Sequence, residues 1–407
     1  MWPLVQFPSD VQGVLVHVAE IVPAAQNAMR QNHKTMDSAM PQREPRRRNC
    51  TLVVTHRCNL RCRYCYETRK DSRAMDFATA RTIVERELSR TAESPDADEI
   101  LFDFLGGEPF LEFPLIREIA EWTWSEPRLV PYLFSITTNG TVLDTATKNW
   151  LRNHAERFKV VLSLDGVRSA QETNRPGSAD LIDMDFFREV YADQPIKMTI
   201  SPETVGDFAA GVCKLLESGF LVAPSFAYGV EWSNFSIREY CKQLATLGQY
   251  FLDHPNIEPI PQFQKTLAAV LDESPLRRTC GTGHMMVTYD VDGQGFPCHL
   301  FLPWITECIN GFDDVLEDSD LCDNKCRDCS FVRLCKHCYG FNFIERGNPA
   351  SRSPTTCRLV QAEIVACAWF KGTLLGEKIR REQSLTDEER IEAAAVLFLY
   401  SHPPKTL

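Results

Sequence analysis

Cys58, Cys62 and Cys65 lie in the run Thr-His-Arg-Cys-Asn-Leu-Arg-Cys-Arg-Tyr-Cys-Tyr, directly after the apolar stretch Leu52-Val53-Val54. Three thiols within eight residues make a metal-binding loop, and the metal decides the chemistry. A four-iron cubane held by three thiolates keeps one iron open, and an open iron can bind and reduce a small molecule. A single zinc ion is the alternative. It wants four ligands in a closed site, and His56 would complete the tetrahedron.

Further motifs recur at the ends of apolar runs. Leu105-Gly106-Gly107-Glu108-Pro109 follows Ile100–Phe104. Its glycines let the backbone pass close to a ligand, and Glu108 offers a carboxylate to a ligand ammonium. Thr138-Asn139-Gly140 and Ser163-Leu164-Asp165-Gly166 end two more runs, although Asn-Gly and Asp-Gly are also ordinary turn pairs. Tyr64, one residue before Cys65, can pack on a flat ring or simply on the core. Further on, Cys280 is followed by Gly293-Gln-Gly-Phe-Pro-Cys298, by Cys326-x2-Cys329-x5-Cys335-x2-Cys338, and by Cys357. Paired Cys-x2-Cys units suit a zinc ribbon or an iron–sulfur cluster, since thiolates bind both metals. Asp290 and Asp292, before the Gly293 turn, are candidate proton acceptors, though turn carboxylates are ordinarily solvated. Cys50, Cys213, Cys241, Cys308 and Cys367 read as ordinary thiols.

These loops need a scaffold. Strand-like runs fall near 51–55, 100–105, 133–137, 159–164, 197–201 and 221–227, and helical runs near 76–91, 113–123, 143–154, 183–191, 205–218 and 235–252. The strand runs are continuous rather than alternating, which suits parallel strands covered by helices. Six β/α units predict a partial barrel, with the active site on loops after the strands' carboxyl ends. A helix is expected over 8–33 and a polar linker over 34–49, with the basic run Arg43 to Arg48 solvated. After about residue 275 cysteine density rises and helical periodicity falls. A last helical stretch spans 357–399, and the domain boundary falls between 255 and 280, near Pro259 and Pro261.

The chain has 407 residues and a net charge of −11, too acidic for a general nucleic-acid binder. No unbroken run of eighteen apolar residues predicts a membrane span, and Met1-Trp2-Pro3-Leu4-Val5 lacks the form of a signal peptide. Sixteen cysteines clustered in short metal-type units then point to a reducing cytoplasm rather than to disulfides.

The triad, Cys-x3-Cys-x-aromatic-Cys after a first strand, resembles the signature of radical S-adenosylmethionine (SAM) enzymes, and the Gly-Gly-Glu-Pro turn resembles their SAM-binding turn. The tail resembles the SPASM extension, which carries auxiliary iron–sulfur clusters. It departs from that pattern in the two-residue spacing between Cys335 and Cys338, and in having His284, Met285 and Met286 where some members have a further cysteine. The resemblance covers about residues 50 to 360.

It implies an α/β chain with a partial (β/α)6 TIM-like barrel and a C-terminal cysteine-rich iron–sulfur domain. The domains would be an N-terminal helix and linker (1–49), the barrel (50–260), the auxiliary-cluster domain (261–370) and a helical tail (371–407). Cys58, Cys62 and Cys65 would hold a SAM-binding [4Fe–4S] cluster. Tyr64, Gly106, Gly107, Glu108, Pro109, Asn139, Ser163 and Arg175 would contact SAM, and Thr199-Ile200-Ser201-Pro202-Glu203 would touch ribose or substrate. Two auxiliary [4Fe–4S] clusters would follow, one on Cys326, Cys329, Cys335 and Cys357. The other would take Cys280, Cys298 and Cys338, with its fourth position open or filled by Cys322, an Asp or water. The implied function is cleavage of SAM to a 5′-deoxyadenosyl radical that takes hydrogen from a ribosomally made precursor peptide and installs a carbon–carbon or thioether crosslink. Alternatives are a formylglycine-forming sulfatase maturase, a small-molecule dehydrogenase or epimerase and, from another class, a non-catalytic iron–sulfur scaffold. Expected partners are the precursor peptide, an electron donor such as flavodoxin or ferredoxin, and a separate leader-recognition protein. No nucleic acid and no membrane are expected, and the location is cytoplasmic.

Overall fold

The computed structural model describes residues 45–68, 70–303 and 317–403, and strand β1, Arg47–Thr55, starts within the arginine run. Tertiary ion pairing explains why this basic stretch is strand and not linker. Arg46 donates its backbone N–H to Asp98 Oδ2 at 2.7 Å, Arg47 Nε meets Glu99 at 2.5 Å, and Arg48 Nε meets the buried Glu87 at 2.8 Å. The helix expected over 8–33 and Cys308 lie outside the described residues.

Five more parallel strands follow: β2 (Glu99–Gly106), β3 (Tyr132–Thr138), β4 (Phe158–Leu162), β5 (Ile196–Ile200) and β6 (Val222–Phe226). β1 to β4 pair in chain order, β5 pairs with β6, and a parallel bridge between Ser163 and Lys197 joins the two groups. The intervening helices are α1 (Phe77–Glu93), α2 (Phe113–Trp124), α3 (Thr145–His154), α4 (Arg168–Asn174), α5 (Met184–Val190), α6 (Phe208–Glu217) and α7 (Asn234–Asp253). This is the expected partial (β/α)6 barrel. Only α4 has no counterpart among the expected helices, because its buried positions are Ala170, Gln171 and Asn174 and offer no large apolar side chain to mark a period, whereas the equally short α5 carries Phe186 and Phe187.

Burial differs from the expected continuous pattern. β1, flanked on both edges, is buried over its last six residues, whereas β2 to β5 largely alternate. Their buried positions face the helices, where Phe104, Phe134 and Phe158 stack with ring centroids 5.5 to 6.1 Å apart. The opposite face of an open barrel stays partly accessible and carries polar groups. Ser135 Oγ donates to Asp103 at 2.8 Å, and Lys197 Nζ donates to Thr137 Oγ1 at 2.8 Å.

The C-terminal part grows directly on the barrel. β7 (Met286–Tyr289) pairs parallel with the free edge of β1, and β8 (Gly295–Phe296) pairs antiparallel with β7. Then come α8 (Tyr339–Arg346), α9 (Pro354–Arg380) and α10 (Asp387–Ser401). The single stretch expected over 357–399 is thus two helices. A positive φ of 56° at Glu382 ends one, and a capping box between Thr386 and Glu389 starts the other. α9 is the one helix among the described residues long and apolar enough to cross a membrane by length and composition, and 67% of that apolar window is buried within the fold. It packs as a core helix.

Candidate active site

The cysteine loop leaves β1 at Thr55 and is held from below by the turn after β2. Gly107 N–H donates to Thr55 O at 3.1 Å, and Glu108 N–H to Arg57 O at 2.8 Å. A Cβ on Gly107 would lie 2.4 Å from Arg57 O and 2.7 Å from Cys58 Cβ, and one on Gly106 would lie 2.4 Å from Thr55 O. Both glycines are therefore required by the approach of one loop to the other. Gly107→Ala is expected to push the cysteine loop outward, at a cost of about 1–3 kcal/mol typical of overpacking. The check is iron content after anaerobic reconstitution, which should fall, while Gly206→Ala serves as a control because no atom lies within 4 Å of its added Cβ and its φ is not in the left-handed region.

The three thiols act on one another electrostatically, so the loop gathers them. Burial pushes the Cys58 and Cys62 thiols up. The Leu60 N–H and Lys70 pull Cys58 back, and Arg175 does so for Cys62. Leu60 N–H donates to Cys58 Sγ at 3.4 Å, and Lys70 Nζ donates to Cys65 Sγ at 3.6 Å. Every described cysteine is a free thiol. Among the described residues no three Cys, His, Asp or Glu side chains converge as ligands of one ion would. A cubane spreads its thiolates over several irons, so a gathered triad with an N–H donor and a cation beside it fits that group. Lys70 has no place in the motif. Its signal in the sequence was a cation five residues beyond the last thiol.

His56 is fully engaged elsewhere than in a zinc tetrahedron. Its Nδ1 meets Glu67 Oε1 at 2.6 Å and its Nε2 meets Asp290 Oδ1 at 2.7 Å, with the ring buried. Burial alone would lower its pKa, but hydrogen bonds to Asp290 and Glu67 outweigh it and raise it to about 9. The ring is thus an imidazolium at neutral pH, donating from both nitrogens. Asp290, expected in a solvated turn, is buried on this ring, while Asp292 is exposed. The bridge ties the cysteine loop to the segment after β7.

Glu108 is buried, and burial raises its pKa. Thr138 Oγ1 and Phe110 N–H donate to its Oε1 at 2.8 and 3.1 Å, and Asn139 N–H donates to its Oε2 at 2.8 Å. Pro109 opens the short helical turn that Glu108 caps. Asn139 Nδ2 reaches Asn59 Oδ1 at 2.9 Å, linking the third turn to the cysteine loop. Ser163, also buried, donates its N–H to Thr138 O at 2.8 Å. Arg175 is buried on Asp165, Nε to Oδ2 at 3.1 Å, and Tyr64 OH donates to the same oxygen at 2.7 Å. The guanidinium stands 5.4 Å from the Tyr64 ring centre. Asp165 Oδ1 accepts from Thr199 N–H at 2.9 Å, so one carboxylate joins the ends of β4 and β5 to the cysteine loop.

The tail cysteines fall into two neighbourhoods. Cys335 is pushed to about 12 by burial and feels Cys357, Cys326 and Cys329, and Cys326 in turn feels Cys357 and Cys329. Separately, Cys298, pushed to about 12 by burial, feels Cys338 and Cys280. Cys322 donates to the Asp323 carbonyl at 3.7 Å. A cleft of about 260 Å³ lies between the loop after β6, with Tyr228 and Glu231, and the start of α9, with Ser353, Thr355 and Thr356.

A half-open parallel barrel with three gathered thiols on its first loop defines a cluster-binding α/β protein. Residues 52–181 match the family described as the radical SAM superfamily, and the chain carries a radical SAM domain. It is 30% identical over 173 residues to a serine-type anaerobic sulfatase-maturating enzyme of Klebsiella aerogenes, covering 40% of this chain and 42% of that one. The chain spans about two fifths of the length of the first curated relatives it matches. Its fold is similar to that of anSMEcpe, solved with bound AdoMet and a Cp18Cys peptide. The TM-score is 0.61 at 19% identity, covering 82% of this chain and 99% of that one. It is also similar to Streptococcus suis SuiB bound to the precursor peptide SuiA, with a TM-score of 0.50 at 16% identity and coverage of 76% and 75%.

Proposed function

We propose that this chain is a radical SAM enzyme that oxidatively matures a ribosomally made peptide by installing a carbon–carbon or thioether crosslink. The observation that carries the reading is Glu108. It is a buried carboxylate with three donors and no ion-pairing cation among the described residues, on a turn hydrogen-bonded to the cysteine loop. A SAM ammonium is the partner it suits. Cys58, Cys62 and Cys65 would hold a [4Fe–4S] cluster, which when bound would supply one-electron reduction of SAM, and the two groups of tail cysteines would hold auxiliary clusters suited to accepting an electron.

The chain's own part is positioning. Lys70 offsets the charge at Cys58 and Cys65, His56 and Asn59 anchor the loop that bears them, and Asp165 holds Arg175 and Tyr64 beside Cys62. The cleft beside Tyr228 and the start of α9 is the candidate seat of a peptide segment. The peptide class is supported by the likeness in fold to SuiB, which was solved with its precursor peptide. An electron donor such as flavodoxin or ferredoxin, and a leader-recognition protein, belong to the same proposal.

The test is anaerobic co-expression with a candidate precursor peptide, followed by accurate mass and assay of 5′-deoxyadenosine. The expected product has lost a pair of hydrogens and resists fragmentation between the joined residues. 5′-Deoxyadenosine without any mass change would remove that peptide as substrate. No 5′-deoxyadenosine from reduced, reconstituted protein would remove the radical reading altogether. The similarity to the Klebsiella enzyme favours a second reading, formylglycine formation on a sulfatase. A sulfatase-derived Ser or Cys peptide offered in the same assay separates the two.

A further inference from the structure

Two donor side chains reach in among the tail cysteines, one half-buried (Arg352) and one buried (His337). Arg352 is the shared cation there: it lowers the thiol pKa of Cys326, Cys335 and Cys357 alike. Its backbone is fixed, since its N–H donates to Asp323 Oδ2 at 3.3 Å and the next residue, Ser353, caps α9. Yet its Nε is buried without a hydrogen-bond partner among the described residues. His337, between Cys335 and Cys338, is 6% exposed. The Cys335 carbonyl lies near enough to influence its ring, but neither nitrogen completes a hydrogen bond of acceptable geometry among the described residues. The Tyr339 ring, edge-on at 4.6 Å, fixes its orientation. Gln361, buried on α9, already donates its Nε2 to Cys357 Sγ at 3.2 Å.

Buried donors without acceptors are rare in native proteins, and each calls for an explanation. An imidazole carries at least one N–H in either neutral tautomer, and Nε of arginine always does. Thiolate and sulfide sulfurs are acceptors, and hydrogen bonds and positive charge at those sulfurs stabilise the more negative, reduced cluster. The shortened spacing from Cys335 to Cys338 puts His337 in the middle of this neighbourhood.

We propose that Arg352 and His337 are positioning donors for an auxiliary iron–sulfur cluster on Cys326, Cys329, Cys335 and Cys357, and that they raise its reduction potential. The inference rests on the auxiliary-cluster reading above. It assigns to this pair a tuning role, distinct from ligation.

The test uses the full chain, reconstituted anaerobically with iron and sulfide and titrated electrochemically with electron paramagnetic resonance detection. R352Q and H337F should keep wild-type iron and sulfide and move one auxiliary signal to lower potential, leaving the other cluster signals in place. R352K, which keeps the charge, should recover part of the shift. Unmoved potentials in both variants at full iron content would overturn the inference. So would loss of one cluster's iron in H337F, which would make His337 a ligand instead of a donor. If H337F does not fold, the R352Q and R352K pair decides alone. Wild-type protein holding iron for only one cluster would sink the auxiliary-cluster reading itself, and this inference with it.

Discussion

Cys62→Ala is expected to leave a folded protein that makes no 5′-deoxyadenosine. Cys62 is only partly buried, and its thiol forms no hydrogen bond among those described, so its removal costs little packing. What it removes is one of three thiolates that must hold a cluster with an open iron. The expected loss is the whole enzymatic acceleration, on the order of a millionfold or more, so the assay should read background. Iron content separates the causes. It should fall by one cluster's worth, and the tail clusters should remain, because Cys326, Cys335 and Cys298 belong to other neighbourhoods. Cys213→Ala, a thiol on α6 outside all three groups, should change neither iron nor product. Full activity in Cys62→Ala would refute the triad as the SAM-cluster site.

His56→Leu should be the most destabilising single change in the site. It deletes an imidazolium held at 2.6 and 2.7 Å by two carboxylates whose side chains are only 8% exposed. Leucine would leave Glu67 and Asp290 buried near each other without their shared counter-charge. Breaking a buried ion pair in this way costs about 3–5 kcal/mol, a large part of a typical folding stability of about 5–15 kcal/mol. Anaerobic denaturant unfolding at neutral pH should show the lowered midpoint, and the loosened loop should also load less iron. A midpoint unchanged from wild type would mean that the bridge contributes nothing in solution. Because Asp290 follows β7 directly, the same variant tests whether the C-terminal part braces the cysteine loop.

Much of this was legible in the order of residues. Every barrel strand falls on an apolar run and all but one barrel helix on a helical period, because both are local properties of a segment that must bury a face, although the alternating burial of β2 to β5 departs from the expected continuous pattern. Signals failed where elements are short or polar. α4 buries only Ala170, Gln171 and Asn174, β7 has four residues, and the start of β1 reads as a basic linker until Asp98, Glu99 and Glu87 are brought against it. The glycines of the Gly-Gly-Glu turn were readable as a close approach. That the approaching group is the cysteine loop's own backbone required the fold.

The sequence by itself determined the strand and helix order, the spacing of three thiols on one loop, and the grouping of the tail cysteines into short metal-type units. Each depends only on residues a few positions apart, where chain geometry dictates proximity. The tertiary structure alone decided which charges answer one another. His56 meets Asp290 across 234 positions, and Arg175 and Tyr64 share one oxygen of Asp165. Arg352 lies among cysteines as distant as Cys326, and the Glu108 carboxylate is enclosed by the ends of neighbouring strands. A buried charge takes whichever partner the packed fold delivers, because unpaired burial is too costly to persist, and no local pattern in the chain records that partner.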